Sequence, residues 1–155
     1  MIFLDSSIVY NALVDTELTK YARKVLESRV PKLTSDTAID EVWFALLKKK
    51  AGVKSAEMLK KRIKRSDEGR RMPYDVLVKV FAFLQKHAVL VIPDSRDWAK
   101  IAQCSSKYGL LPHDARLVVT AVDAGASGFA ALDADFAVIS KEIKLLPENY
   151  WKGKV

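Results

Sequence analysis

Two short apolar segments of the sequence each run into an aspartate, and this pattern constrains the fold more than any other feature. The segment Ile2–Leu4 is followed by Asp5, and residues 129–132 are followed by Asp133. Short apolar runs of this kind are typical of strands buried inside a parallel sheet. Ligand sites in open α/β folds lie beyond the carboxyl ends of such strands. The sequence therefore predicts that the two aspartates meet at one edge of one sheet.

The rest of the chain alternates between strand and helix patterns, which predicts an α/β fold with a parallel sheet covered on both faces. Residues 68–71 are expected to form a loop, and Pro73 to begin the helix that follows. No linker or repeat divides the sequence, so a single domain is expected over residues 1–155. Further strands are predicted at residues 32–34, 88–92 and 143–146. Helices are predicted at residues 19–28, 36–51, 53–67, 74–87, 96–108 and 114–124.

The composition restricts the class of protein. Half of the 155 residues are hydrophobic, which is unlike a disordered chain. No apolar run approaches the roughly 20 residues of a membrane span, and no basic segment precedes the first apolar run. Cys104 is the only cysteine, which excludes an internal disulfide and fits a reducing compartment. We therefore expect a cytoplasmic protein without a membrane partner.

Positive charge is concentrated in one stretch of the chain. Residues 48–71 carry a net charge of +8, whereas the remaining residues together carry −1. A local excess of this size predicts a surface that binds a polyanion, chiefly nucleic acid. A solvated, lysine-rich helix face is the alternative explanation. The side chains expected to contact phosphates are Lys48, Lys49, Lys50, Lys60, Lys61, Arg62, Lys64 and Arg65.

Four acids stand out because of the elements expected to carry them. Asp5 and Asp133 follow strands, Asp114 begins a helix, and Glu41 lies in a helix with an alanine one turn away on either side. Clustered carboxylates repel one another unless they are protonated or bridged by cations. Oxygen ligands suit Mg²⁺ or Mn²⁺, which can activate water and stabilise charge on a phosphate. The sequence thus indicates a carboxylate-held metal site.

Each acid also has a structural explanation. Asp5 could cap the chain after its strand, Glu41 could be a solvated helix residue, Asp114 could be favoured by the helix dipole, and Asp133 could belong to a turn. Other chemistry has less support, because the sequence has no G-x-S-x-G, P-loop or G-x-G-x-x-G motif. The two histidines are widely separated, which argues against zinc. His113 is expected to be a surface residue at a helix start.

The order of these motifs resembles the PIN-domain family, and most closely the VapC-type toxins of toxin–antitoxin pairs. The resemblance rests on Phe3-Leu4-Asp5-Ser6-Ser7, on Glu41, on Leu110-Leu111-Pro112-His113-Asp114-Ala115 and on Leu132-Asp133-Ala134-Asp135-Phe136. It covers nearly the whole chain. No single motif is specific, but the four together are.

This resemblance implies a three-layer α/β/α fold with about five parallel strands and a Mg²⁺-dependent endoribonuclease. The family's acids correspond to Asp5, Glu41, Asp114 and Asp133, and Asp135 matches a further acid that often follows and is the weaker candidate ligand of that pair. Ser7 matches a position that helps to orient the first aspartate or a metal-bound water. One departure is Ala131, where the family often has Thr or Ser, and this removes one supporting hydrogen bond.

Three other classes of protein share some of these sequence features. A PIN nuclease of RNA processing or decay would act without an antitoxin, and a neighbouring reading frame for a small DNA-binding protein would favour the toxin instead. A signalling receiver domain also gathers aspartates at strand ends, but Ser6 replaces the second acid expected after its first strand. A non-catalytic RNA-binding module would have no need of the four acids.

The predicted helix at residues 74–87 is apolar over more of its circumference than one buried face requires. Either neighbouring helices of the same chain cover both sides, or one side faces a second chain. The resemblance to VapC implies a homodimer and a VapB-type antitoxin whose helical segment docks in a groove. We therefore expect this helix to lie at or near the contact.

Overall fold

The computed structural model describes residues 1–155 and contains one parallel sheet of five strands. The strand order is β3-β2-β1-β4-β5, so β1 lies in the middle. The chain moves from β1 to one side of the sheet and returns to pair β4 with the other side of β1. This reversal makes the edge between β1 and β4 the topological switch point, where α/β folds place their ligands. The strands are β1 (Ile2–Leu4), β2 (Lys32–Ser35), β3 (Val89–Ile92), β4 (Gly128–Ala130) and β5 (Lys144–Leu146).

Helices cover both faces of the sheet, which confirms the predicted three-layer α/β/α fold. The side chain of Phe3 packs on one face and stacks on Phe129, whereas Ile2 and Leu4 pack on the other. The Phe3 side is covered mainly by α6, α7 and α8, and the Leu4 side by α1, α2, α3 and α5. None of the helices is both long and apolar enough to cross a bilayer. The helices are α1 (Ser6–Leu13), α2 (Thr19–Glu27), α3 (Asp36–Ala51), α4 (Ala56–Lys64), α5 (Asp67–Lys86), α6 (Trp98–Tyr108), α7 (Pro112–Asp123) and α8 (Glu148–Trp151), with a 3-10 helix at Ala134–Ile139.

Helix α5 corrects two predictions. It begins at Asp67, so the expected loop at residues 68–71 is helical and Pro73 lies inside the helix. Ser66 caps this helix by accepting a hydrogen bond from the Gly69 backbone N–H at 3.0 Å. Gly69 also lets α5 approach the end of α4 closely, because a Cβ there would lie 2.5 Å from the carbonyl oxygen of Arg62. The glycine therefore serves close packing and does not end a helix, and α4 is shorter than predicted.

Strand β4 ends two residues earlier than predicted, at Ala130. Asp133 therefore does not follow the strand directly but lies at the end of a three-residue link. The backbone N–H of Ala131 still donates to the Leu146 carbonyl oxygen, but the carbonyls of Ala131 and Leu132 take side-chain partners instead. These partners decide where the link carries Asp133.

Helix α5 leaves an apolar stripe in solvent. Its residues Val80 and Leu84 are buried in the core, whereas Tyr74, Val78 and Phe81 are 73%, 49% and 47% exposed. The spacing of the exposed residues, four and then three, places them on one face. Neighbouring helices of the same chain therefore do not cover the whole helix.

Candidate metal centre

Asp5 leaves the central strand β1 and caps α1. Its Oδ2 accepts hydrogen bonds from the backbone N–H of Ser7 at 2.9 Å and from the Ser7 hydroxyl at 2.5 Å. The carboxylate is almost fully buried, with 2% of the residue exposed. The pKa of Asp5 is raised from 3.8 to about 6, chiefly by burial and in part by the charge of Glu41, while the Ser7 hydrogen bonds act to lower it. The chain thus keeps a carboxylate where ionisation is unfavourable.

Ser7 connects Asp5 to the other side of the switch point. Its hydroxyl donates to Asp5 and accepts a hydrogen bond from the backbone N–H of Leu132 at 2.9 Å. A hydroxyl can do both at once because it has one donor hydrogen and two lone pairs. Ser7 therefore fixes the rotamer of Asp5 relative to the link that carries Asp133.

The last helix supports the same link from the outside. The Tyr150 hydroxyl donates to the carbonyl oxygen of Leu132 at 2.6 Å, and the Trp151 indole N–H donates to that of Ala131 at 3.1 Å. Both carbonyls have left the sheet ladder and would otherwise lack protein partners. At the end of the link, Asp133 accepts from the backbone N–H of Asp135 and caps the 3-10 helix. Both Asp133 and Asp135 are exposed.

Glu41 lies in the second turn of α3. The start of this helix is held by Asp94, whose Oδ2 accepts from both the backbone N–H and the hydroxyl of Thr37. Burial raises the pKa of Glu41, which a hydrogen bond from Ser6 and the charge of His113 counteract. The Oε1 atom of Glu41 is buried and has no hydrogen-bond partner. A buried oxygen in this state is expected to face a ligand or a cation.

Asp114 lies in the first turn of α7, two residues after Pro112, whose ring fits the start of a helix. Its side chain is 17% exposed. Burial raises the pKa of Asp114, the charge of His113 lowers it, and the charges of Asp133 and Asp135 raise it. Both aspartates of the 3-10 helix therefore lie close enough to interact with Asp114.

The structure brings one subset of these residues into a tight group. One ligand atom from each of Glu41, His113 and Asp114 lies within 4.8 Å of the others. Asp5 and Asp133 lie outside this group, although the charge of Glu41 acts on Asp5 and that of Asp133 acts on Asp114. The predicted acids thus converge on one edge of the sheet, from four different segments of the chain.

His113 belongs to this group, although its place in the sequence predicted only a surface histidine. Its Nε2 lies 3.4 Å from Asp114 Oδ1 and 3.8 Å from Glu41 Oε1. The sequence contained a signal, since His113 directly precedes an acid of the motif at a helix start. What the sequence could not show is that α3 passes in front of that turn.

The donor set fits a divalent cation. Three acids have raised pKa values, chiefly because they are buried, and one of their oxygens has no partner. A cation bound among them would remove the repulsion and satisfy that oxygen. Asp5, Glu41 and Asp114, with Asp133 at the rim, are the oxygen donors that would hold it.

The eight cations expected to contact phosphates lie further along α3, on α4 and at the C-terminal cap of α4. Lys48 is about 10 Å from Glu41 along the helix axis, from the rise of 1.5 Å per residue. Lys48 is half-buried over the ring of Phe44, with Nζ 4.7 Å from the ring centre. The other cations expected to contact phosphates are exposed: Lys49, Lys50, Lys60, Lys61, Arg62, Lys64 and Arg65.

Three solved structures have a similar fold. The chain is 19% identical to VapC20 of Mycobacterium tuberculosis, a sarcin-ricin loop cleaving toxin, with a TM-score of 0.58 over 88% of this chain and 93% of that one. It is 16% identical to PAE2754 of Pyrobaculum aerophilum, with a TM-score of 0.55 over 97% and 93%. It is 15% identical to a chain of FitAB bound to a DNA fragment, with a TM-score of 0.56 over 94% and 94%. At these identities the likeness concerns the fold.

Family membership comes from the sequence itself. The model of the PIN domain matches residues 2–142, which include all the acids of the candidate metal centre. No curated protein matches the chain. PIN domains are nucleases that generally depend on divalent metals, and this supports a hydrolase acting on nucleic acid. The chain belongs to the PIN-domain family.

Proposed function

We propose that this protein is a Mg²⁺- or Mn²⁺-dependent endoribonuclease and the toxin of a VapBC-type pair. The observation that carries the proposal is the convergence of Asp5, Glu41, Asp114 and Asp133 at the switch point of a PIN domain. The acids come from four segments, and three of them are buried enough to have raised pKa values. Such an arrangement is unfavourable for folding alone and is explained by a bound cation.

The chain's own residues have distinct parts in this reaction. A divalent cation, when bound, would activate water and stabilise charge on the scissile phosphate. Glu41 and Asp114 would hold it from two helices, while Ser7 keeps Asp5 in a fixed rotamer. Asp133 and the exposed Asp135 border the open side of the centre, where the phosphate would enter.

The basic cluster of α3 and α4 would bind the RNA backbone. Its side chains are exposed and carry the positive charge that phosphates attract. Contacts of this kind position a strand and do not read its sequence. We therefore infer that sequence preference comes from elsewhere.

A homodimer and an antitoxin are the proposed protein partners. The exposed stripe of Tyr74, Val78 and Phe81 on α5 supports a contact with a second copy. A groove of about 460 Å³ between α1, α2 and α5 supports a docked antitoxin segment, since Leu13, Leu26 and Phe83 line it. VapC20 is described as a toxin and FitAB was solved with DNA, which agrees with this proposal.

The test is cleavage of structured and unstructured RNAs with Mg²⁺, Mn²⁺ or EDTA, followed by mapping of the cut ends. We expect cleavage with either metal, none with EDTA, and none for Asp114→Asn or Asp133→Asn. Asp15→Asn, which removes an exposed carboxylate in the α1–α2 loop, is the matched control and should cleave normally. Full activity of either site variant would refute the proposed centre. Cleavage that no product of a neighbouring gene inhibits would assign the nuclease to RNA processing or decay.

A further inference from the structure

We propose that His113 binds the cation directly through Nε2, so that the centre has a nitrogen ligand beside the carboxylates of Glu41 and Asp114. This inference rests on the proposed function, because it concerns the same metal centre. It assigns a class of cofactor, namely a first-row transition ion such as Mn²⁺ in preference to Mg²⁺. The family resemblance assigns only the acids.

The distances around His113 are those of ligands that face a shared ion. Its Nε2 lies 3.4 Å from Asp114 Oδ1 and 3.8 Å from Glu41 Oε1. Ions of this class bind nitrogen and oxygen at about 2.0–2.2 Å, which places neighbouring ligand atoms about 3.0 Å apart in octahedral and about 3.4 Å apart in tetrahedral geometry. The His113–Asp114 distance already equals the tetrahedral value, and the His113–Glu41 distance exceeds it by 0.4 Å, so His113 needs only a small shift to share an ion with either carboxylate.

The unpartnered oxygen of Glu41 supports the same arrangement. Glu41 Oε1 is buried without a hydrogen bond, although the imidazole is its neighbour at 3.8 Å. A buried acceptor normally finds a partner, and a cation that binds Glu41 Oε1 and His113 Nε2 from the same side would supply it. Because the histidine side chain is 51% exposed, an ion can reach this space from solvent.

The backbone explains why the histidine is held in place. Pro112 and His113 precede Asp114 in the first turn of α7, where the proline ring restricts the backbone. The carbonyl oxygen of Leu111 accepts from the backbone N–H of Ala115 at 2.9 Å and closes this turn. His113 is thus carried on the same rigid turn as one carboxylate ligand and faces the other across the gap between α7 and α3.

A nitrogen ligand changes which metal the centre prefers. Imidazole suits transition ions, whereas Mg²⁺ selects oxygen ligands and retains its waters. An all-carboxylate centre would accept Mg²⁺ and Mn²⁺ alike, but a centre with one imidazole should favour Mn²⁺. The expected signature is therefore metal selectivity as well as a direct nitrogen signal.

The experiment is electron spin-echo envelope modulation on Mn²⁺ bound to the full chain, combined with calorimetric titration of Mn²⁺ and Mg²⁺. His113→Gln is the test variant, and His87→Gln is the matched control. His87 is the only other histidine, and it lies by Lys32 at the opposite end of the sheet. We expect ¹⁴N modulation in the wild type and in His87→Gln but not in His113→Gln. The Mn²⁺ affinity of His113→Gln should fall by at least about tenfold, and its Mg²⁺ affinity much less.

The outcomes separate this inference from the proposed function. If the wild type binds Mn²⁺ without ¹⁴N modulation, His113 is not a ligand, and the proposed function with carboxylate ligands alone is unaffected. If modulation persists in His113→Gln, the inference is likewise overturned. If the wild type binds no divalent cation at all, the inference and the proposed function both fail. If circular dichroism shows that His113→Gln does not fold, the wild type and His87→Gln still test the inference. Loss of ¹⁴N modulation in His87→Gln would identify His87 as the nitrogen ligand and would overturn the assignment to His113.

Discussion

Asp5→Asn should stabilise the protein when metal is absent, even though it should abolish cleavage. Asp5 is buried in the middle of the sheet edge, where its negative charge is poorly solvated. Asparagine has nearly the same shape, and its side-chain oxygen can still accept the hydrogen bonds from Ser7. The substitution therefore removes an unfavourable charge while it keeps most of the local contacts.

The magnitude follows from the pKa of Asp5, which burial raises from 3.8 to about 6. Each pKa unit is 1.36 kcal/mol, so ionised Asp5 destabilises the folded state by about 3 kcal/mol above pH 6. Between pH 4 and 6 the folded state binds the proton more tightly than the unfolded state, so stability falls as the pH rises through this window. Below pH 4 both states are protonated and the penalty is absent.

Thermal unfolding in EDTA at pH 4 and at pH 7.5 measures this effect. At pH 7.5 we expect Asp5→Asn to melt above the wild type by roughly 6–12 °C, from about 2–4 °C per kcal/mol in a chain of this size. At pH 4 most of that difference should disappear. Adding Mn²⁺ at pH 7.5 should raise the melting temperature of the wild type much more than that of the variant, because ligands stabilise the state that binds them.

Asp15→Asn is the control, since Asp15 is an exposed acid of the α1–α2 loop. Its melting temperature should follow the wild type at both pH values, with and without metal. A variant Asp5→Asn that melts below the wild type at pH 7.5 in EDTA would refute the reasoning. It would mean that Asp5 contributes more through its contacts than it costs through its charge.

Three further predictions concern the surroundings of the centre. Neutralising five cations of α4 and its C-terminal cap should weaken RNA binding across sequences. The slope of log affinity against log salt concentration should become less steep by roughly 0.7 for each phosphate that is no longer neutralised. An unchanged slope would mean that these side chains do not contact RNA and only keep the helix surface hydrated. The cations are Lys60, Lys61, Arg62, Lys64 and Arg65. Tyr150→Phe should lower the free energy of unfolding by about 1–3 kcal/mol, because the Leu132 carbonyl loses its donor, and it should lower the cleavage rate because the link that carries Asp133 loses this support. Tyr21→Phe, which keeps the ring contact between the two tyrosines, should not lower activity. Phe81→Glu on the exposed stripe of α5 should convert a dimer to a folded monomer in sedimentation, and a wild type that is already monomeric at micromolar concentration would contradict this.

The strands were largely predictable from the sequence, because short apolar runs between helical patterns seldom form anything except buried strands. The strand order was not predictable, since no local pattern states that β1 lies between β2 and β4. This order is what brings Asp5 beside the link to Asp133. The residue types at the centre were thus visible in the sequence, but their convergence depends on long-range pairing.

The errors have physical causes. Gly69 and Pro73 are breakers by local propensity, yet α5 begins before both because Ser66 caps it and the glycine packs on α4. The sequence predicts that β4 reaches Leu132 because residues 131 and 132 are apolar, but the carbonyls of these two residues bond to α8 instead. In each case a tertiary contact replaced the partner that the local pattern assumed.

The positions of the acids explain how the fold tolerates them without a cation. Asp5 caps α1, Asp133 caps the 3-10 helix and Asp114 lies in the first turn of α7, so each carboxylate faces the N-terminal end of a helical segment. Such a position is worth about 0.3–1 kcal/mol to a carboxylate. The pKa of about 6 already includes the hydrogen bonds at the start of α1, so the penalty of about 3 kcal/mol for ionised Asp5 remains after that gain. The helix ends therefore offset only part of the cost of burying these charges, and a bound cation would relieve the rest. For the same reason, the stability of this protein should depend on divalent metal more steeply as the pH rises above 6 and Asp5 becomes fully ionised.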